Sequence, residues 1–315
     1  MNETGSNICT VGGYLEAPSG QRVVVLCNLT DDRIPLGNVL IVPPYGRSAK
    51  DMFFFAYYLW RRGFNVIRFD ARNHVGASTG EIANFTLSSL EKDLDLVYQY
   101  LLGCGFDRPI LLGVSLSTPV VLKYVANSNR AASIVSVVGA LDVKHAIECA
   151  TGESVTHYRT RAPNRAEFQS ILGYQVRAQQ FVDDMDEAGY GSLDMMLNYI
   201  KSATCPVHMI AASDDDWVMP ETVVRCHQVA PLGSVLSTFE NITHEFGRSV
   251  STAKQISLEI CRLCSLVSDQ GDLPWNVVPN FAEILRANSV ESNSIDGLVE
   301  KRLTLFSLNH DGASQ

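Results

Sequence analysis

Short, almost unbroken apolar runs recur along the chain, and segments with helical periodicity lie between them: Val23–Leu26, Val39–Val42, Val66–Phe69, Ile110–Val114, Ile134–Val138 and Val207–Ala211. A strand buried on one face alternates apolar and polar residues, whereas one covered on both faces is apolar throughout, so these runs predict a parallel central sheet. The intervening stretches, residues 51–62, 88–102, 117–125 and 221–229, are long enough for crossover helices. Right-handed crossovers place such helices on both faces of an open sheet, which predicts an α/β fold.

One interval breaks the alternation. From Asp142 to about Thr204 no strand signal recurs. A polar stretch with Arg159, Arg161 and Arg165 leads into a helical pattern of Leu172, Val176, Phe181, Met185, Leu193, Met196 and Leu197. An insertion at this point sits over the carboxyl ends of the strands, where such folds bind ligands, and reads as a helical cap. The expected organisation is a core of residues 1–142 and 204–268, a cap of 143–203 and a C-terminal extension of 269–315, packed on the surface through Trp275, Val278, Phe281 and Leu285.

Composition narrows the function. With 34 acidic residues against 25 basic ones the formal charge is -9, which argues against a surface that tracks nucleic-acid phosphates. The eight cysteines show no framework spacing, so reduced thiols and a cytoplasmic location are expected; Cys261 and Cys264 fall in a helical pattern and read as packing residues. The first twenty residues carry no secretory signal pattern, and the longest apolar stretch, residues 131–141, is about half of a membrane span. No lysine-bearing phosphate loop and no histidine pair at ligand spacing occur, so neither cofactor nor metal is expected.

The chemistry is written in three places. Residues 111–117, L-L-G-V-S-L-S, run from a strand directly into a helical pattern, the arrangement of a nucleophile elbow that lifts Ser115 above the sheet. The first glycine of the G-x-S-x-G pattern is present as Gly113 and the second position holds Ser117, so a plain helix-capping role for Ser115 is the competing reading. After the strand ending near Ala212 comes a turn with Asp214, Asp215 and Asp216, of which Asp215 stands where a triad acid falls. After the run Val235–Phe239 comes His244, the candidate base. His208, His227 and His310 occupy a strand, a helix and the tail, and read as structural. Serine, aspartate and histidine in that chain order are the order of the α/β-hydrolase fold, and they predict acyl transfer through a seryl ester. The oxyanion donors expected are the backbone N–H groups of Leu116 and Tyr45, with Gly46 second, because Pro43 and Pro44 have none to give.

Residues 68–80, R-F-D-A-R-N-H-V-G-A-S-T-G, closely resemble the R-Y-D-x-x-H-H-V-G-x-S-x-G stretch of the acyl-transferases of bacterial bioluminescence operons, and the resemblance extends over nearly the whole chain. It implies a serine thioesterase that releases fatty acid, chiefly myristate, from acyl carrier protein for a fatty-acid reductase complex. It also implies Ser115, Asp215 and His244 as nucleophile, acid and base. Pro43 and Pro44 depart from the pattern where a serine and a glycine are expected, and Asn73 replaces the first histidine of the pair. His74 is read as a residue that holds its loop by hydrogen bonding. A thioesterase or esterase for another acyl substrate, such as a polyketide intermediate, is the alternative enzyme; a binding scaffold without turnover is the non-catalytic one.

Overall fold

The computed structural model describes residues 8–30, 34–161, 167–267 and 278–305. Ten strands and ten helices are formed in the described residues. In chain order they begin with β1 (Thr10–Glu16), β2 (Arg22–Asn28), β3 (Asn38–Val42), α1 (Phe53–Arg62), β4 (Asn65–Phe69), α2 (Leu87–Gly103), β5 (Ile110–Val114), α3 (Ser117–Ser128) and β6 (Ile134–Val137). Next come α4 (Val143–Thr151), α5 (Val155–Arg161), β7 (Phe168–Ile171), β8 (Tyr174–Arg177), α6 (Ala178–Glu187) and α7 (Leu193–Ser202). The chain then returns to the core with β9 (Val207–Ala212), α8 (Pro220–Gln228), β10 (Leu236–Phe239), α9 (Val250–Ser265) and α10 (Phe281–Val299).

Eight strands form one sheet in the order β1-β2-β4-β3-β5-β6-β9-β10. From β4 to β10 all pairs are parallel, and β3, β4, β5, β6 and β9 are buried at nearly every position, as expected for strands covered on both faces. Two large apolar clusters fill the two faces. One joins α2, α3 and the insertion to the sheet; the other joins α1 and α9 to it.

The sheet is mostly parallel, as expected, and leaves the parallel arrangement at one edge. β2 runs antiparallel to β4, and β1, a strand absent from the sequence reading, runs antiparallel to β2. Its sequence TVGGYLE carries two central glycines and only a broken apolar pattern, so periodicity does not mark it. At that edge residues 301–303 return to β1: Tyr14 N–H donates to the Lys301 carbonyl and Leu303 N–H to the Tyr14 carbonyl, so the middle of the edge strand is capped.

The C-terminal segment also differs from expectation. Trp275 lies outside the described residues, while Val278, Phe281 and Leu285 are exposed. Helix α10 packs instead through Ile284, Glu291 and Ile295. Glu291 is buried against the equally buried Arg68 of β4, with Nη2 to Oε1 at 2.6 Å. Thr10 donates to the same carboxylate oxygen at 2.6 Å, and Asn28 accepts from Arg68 at 2.7 Å.

Between β6 and β9, four helices accompany an antiparallel hairpin, β7–β8, where the sequence reading expected helix around Leu172 and Val176. Positions i and i+4 share a face in a strand as well as in a helix, so that spacing alone does not separate the two. The two turn residues, Leu172 (φ 49°) and Gly173 (φ 85°), have the positive φ values that a two-residue I′-type hairpin turn demands. Helix begins only at Ala178.

Candidate active site

The site stands at the carboxyl ends of β5, β9 and β10, with β3 supplying a fourth loop. Ser115 follows β5 directly and has φ 50°, a left-handed backbone that costs an L-residue about 1–2 kcal/mol. The turn is held on every side: Ser115 N–H donates to the Val137 carbonyl, and Thr118 and Ala140 N–H both donate to the Ser115 carbonyl. At Gly113 a Cβ would lie 2.9 Å from the Cα of Thr118, so no side chain fits there. Ser117, where the motif has its second glycine, is fully buried and used: its hydroxyl accepts from Val114 N–H at 2.8 Å and reaches the Val42 carbonyl at 3.1 Å.

The three residues singled out in the sequence converge. Ser115 Oγ is 2.8 Å from His244 Nε2, and His244 Nδ1 is 2.8 Å from Asp215 Oδ2. The other carboxylate oxygen of Asp215 accepts from the N–H groups of Trp217 and Val218, each at 2.9 Å. This fixes the carboxylate against rotation and leaves it one free direction, toward the imidazole. Trp217 stacks on the His244 ring with centroids 4.4 Å apart, a contact that the sequence reading did not foresee. The two loops are also tied by backbone: Asp214 N–H donates to the Ile242 carbonyl and Asn241 N–H to the Ser213 hydroxyl. Asp214 and Asp216 point to solvent.

The loop after β3 supplies the opposite wall. Gly46 N–H donates to His74 Nε2 at 2.9 Å, so this N–H is committed and the Tyr45 N–H is the group left over. Among the described residues, neither Tyr45 N–H nor Leu116 N–H has an acceptor. Both residues line the cavity that holds Ser115 and His244, and Leu116 precedes the first turn of α3, whose free N–H groups favour a developing negative charge. His74 is buried, and burial pushes its pKa down to about 4, so it is the neutral acceptor this bond needs.

The segment 68–80 is the brace of that loop. Asp70 accepts from Ala49 N–H at 2.6 Å and from Ala77 N–H at 2.8 Å. Burial raises the Asp70 pKa, while those two donors and Arg68 act against the rise. Arg68 donates to the Ala49 carbonyl at 2.8 Å. The Ser78 hydroxyl joins the Asp70 carbonyl to Val24 N–H, and Asn73, at φ 52°, donates its N–H to the Thr79 carbonyl. Asp70 reaches the segment after β3 through Ala49, while Asn73 and Ser78 hold the 70–80 loop itself and tie it to β2.

The cavity measures about 850 Å³. Met52, Phe54, Phe55, Phe246, Val250 and Phe281 are among its apolar lining residues; Trp217, His244, the tip of the β7–β8 hairpin and the charged Arg47, Asp51, Glu245 and Arg248 line it too. Among the described residues no group of three or more His, Cys, Asp or Glu side chains stands together as a metal site, and no helix is long and apolar enough to cross a membrane. Cys261 and Cys264 are on the buried face of α9, where burial raises both thiols.

A family model described as acyl transferase matches residues 19–281. An acyl transferase of Vibrio harveyi is 25% identical over 313 residues, covering 94% of this chain and 98% of the relative. Among solved structures, a monoacylglycerol lipase of Paleococcus ferrophilus superposes with a TM-score of 0.60 at 16% identity, covering 78% of this chain and 99% of the lipase. A thioesterase domain from the curacin biosynthetic pathway gives 0.55 at 13% identity, with 80% and 99% covered. At such identities the structural likeness speaks for the shared α/β-hydrolase fold.

Proposed function

This chain belongs to the acyl transferase family, and from that premise we propose that it takes a long fatty acyl group from acyl carrier protein through a Ser115 ester and passes it to water or another acceptor. Ser115 Oγ attacks the thioester carbonyl while His244 Nε2 takes its proton, and Asp215 stabilises the imidazolium. The N–H groups of Leu116 and Tyr45 receive the oxyanion of the tetrahedral intermediate. Collapse breaks the carbon–sulfur bond, and the leaving thiolate recovers the proton from His244. In the second half an acceptor hydroxyl gives its proton to the same nitrogen, attacks the ester and releases Ser115.

The observation that carries this reading is the pair of 2.8 Å contacts joining Ser115, His244 and Asp215, with Ser115 and His244 opening on a cavity whose lining is rich in apolar side chains. An acyl chain has no hydrogen bonds to satisfy, so the apolar lining of Met52, Phe54, Phe55, Phe246, Val250 and Phe281 suits it. By its resemblance the chain would use a myristoyl-like acyl group, in the cytoplasm, with the components of a fatty-acid reductase complex as recipients of the product.

A graded panel of carrier-bound thioesters, free thioesters and simple esters tests the substrate, and a fluorophosphonate probe tests the nucleophile. Turnover that rises with chain length on the carrier, together with heat-sensitive labelling of the Ser115 peptide, is expected. Fast cleavage of short esters with no response to carrier-bound long chains would replace acyl carrier protein by another acyl donor. An absence of labelling in folded protein would remove the covalent route.

A further inference from the structure

The loop that presents Tyr45 N–H is gripped from two directions. From the core, His74 Nε2 accepts the Gly46 N–H at 2.9 Å; from the insertion, the Tyr174 hydroxyl donates to the Gly46 carbonyl at 2.9 Å. These bonds fix the peptide planes on either side of Gly46, and the Tyr45–Gly46 plane adjoins the one before it, whose Tyr45 N–H has no acceptor among the described residues. Gly46 sits at φ +73°, and a Cβ there would come within 2.4 Å of the Tyr174 ring, so glycine is what lets the ring approach. Tyr45 returns the contact: its hydroxyl donates to the Ile171 carbonyl at 3.2 Å, and its ring meets that of Tyr174 edge to face at 5.6 Å. The hairpin thus touches the loop through both of its strands, β7 and β8.

We propose that Tyr174 is a positioning residue for the oxyanion hole, and that the insertion takes part in catalysis by holding the Tyr45 N–H in register with that of Leu116. The inference rests on the acyl-serine reading above. A wall that merely enclosed substrate would need the ring of Tyr174 and not its hydroxyl. Here the hydroxyl is spent on a backbone carbonyl of the loop itself, in a place where small displacements of a donor cost rate steeply.

Tyr174→Phe keeps the ring packing and removes the bond. With a short soluble thioester, kcat is expected to fall about tenfold while KM stays within about twofold. An acyl trifluoromethyl ketone, which adds to Ser115 and places a real oxyanion in the hole, should bind about tenfold more weakly to the variant, and the matching free fatty acid should bind equally to both. Gln175→Ala, on the same strand but outside the lining of the cavity that holds Ser115, should leave kcat unchanged. The proposal is overturned by an unchanged kcat and ketone affinity, by a loss confined to KM, or by an equal loss of kcat in Gln175→Ala. A wild-type enzyme that turns over no thioester and takes no fluorophosphonate fails the acyl-serine reading itself, and this inference with it; normal wild-type turnover with an unaffected variant fails this inference alone.

Discussion

Two buried acid–base pairs, one on loops at the carboxyl ends of the strands and one joining β4 to α10, have opposite fates. His244 and Asp215, at the carboxyl ends of β10 and β9, have side chains only 6% and 2% exposed; Arg68 and Glu291, on the far side of the sheet, are 0% and 1% exposed. In the first pair the outer imidazole nitrogen ends at Ser115, a hydroxyl that opens on a cavity. In the second, the guanidinium nitrogens Nη1 and Nη2 are taken up by Ala49, Asn28 and Glu291, and the carboxylate is further held by Thr10. Burial alone therefore does not make a charged pair reactive. A pair with one nitrogen turned toward a reactive hydroxyl can move a proton; a pair whose Nη and carboxylate atoms are all engaged within the core holds helix α10 against β4.

Removing the nucleophile probes the open pair most severely. Ser115→Gly should reduce kcat by about 10⁶, as loss of the central member of such a triad does. It also relieves the left-handed backbone of that turn, so the unfolding free energy in urea should stay level or rise by up to about 1 kcal/mol. Asp215→Asn should lower kcat by about 10⁴, because an amide can present a donor where the imidazole N–H needs an acceptor. Substantial instability in either variant would mean that the open pair is also a structural one, and the contrast would dissolve.

The closed pair should show the reverse. Glu291→Leu strands the Arg68 charge in the core and should cost about 3–5 kcal/mol in urea unfolding, while the folded fraction keeps kcat within about threefold. Adding Arg68→Met should recover most of the stability, because a buried pair exchanged for apolar groups of similar size is often neutral. A single variant of full stability would show that α10 is held by its apolar contacts alone.

Legibility in the sequence follows the same division. The open pair could be read because catalysis places its members at loops with fixed neighbours: Gly113 two residues before Ser115, and strand–turn–helix contexts around Asp215 and His244. The closed pair could not. Arg68 and Glu291 are 223 residues apart and meet through tertiary packing that no local pattern announces. Strand β1 and the buried face of α10 escaped for the same reason, since each is specified by the other's presence. The hairpin carrying Tyr174 was a different kind of miss: only Gly173 marks its turn, since leucine at a positive-φ position is not a hairpin signal, and the apolar spacing around it suits a helix equally well. Of the oxyanion loop, Pro43 and Pro44 directed attention to Tyr45, but the commitment of the Gly46 N–H to His74 needed coordinates.

A third buried group sharpens the comparison by having no partner. His208, in β9, is 1% exposed, and neither ring nitrogen has a hydrogen-bond partner among the described residues. Burial, helped by the nearby Arg262 and opposed by Glu259, pushes its pKa down to about 4. The unfolded imidazole titrates near 6.5, so between these values the unfolded chain binds more protons, and stability falls as the pH drops from about 6.5 to about 4. His74 adds a loss in the same window. Replacing His208 by Leu removes its share. At pH 7 the variant should lie within about 1.5 kcal/mol of wild type, and at pH 4 it should gain up to about 3 kcal/mol relative to its own offset at pH 7. Urea titrations at the two pH values measure the difference directly. Parallel loss in variant and wild type would mean that His208 finds a hydrogen-bond acceptor when charged, and that its isolation does not burden the fold in acid.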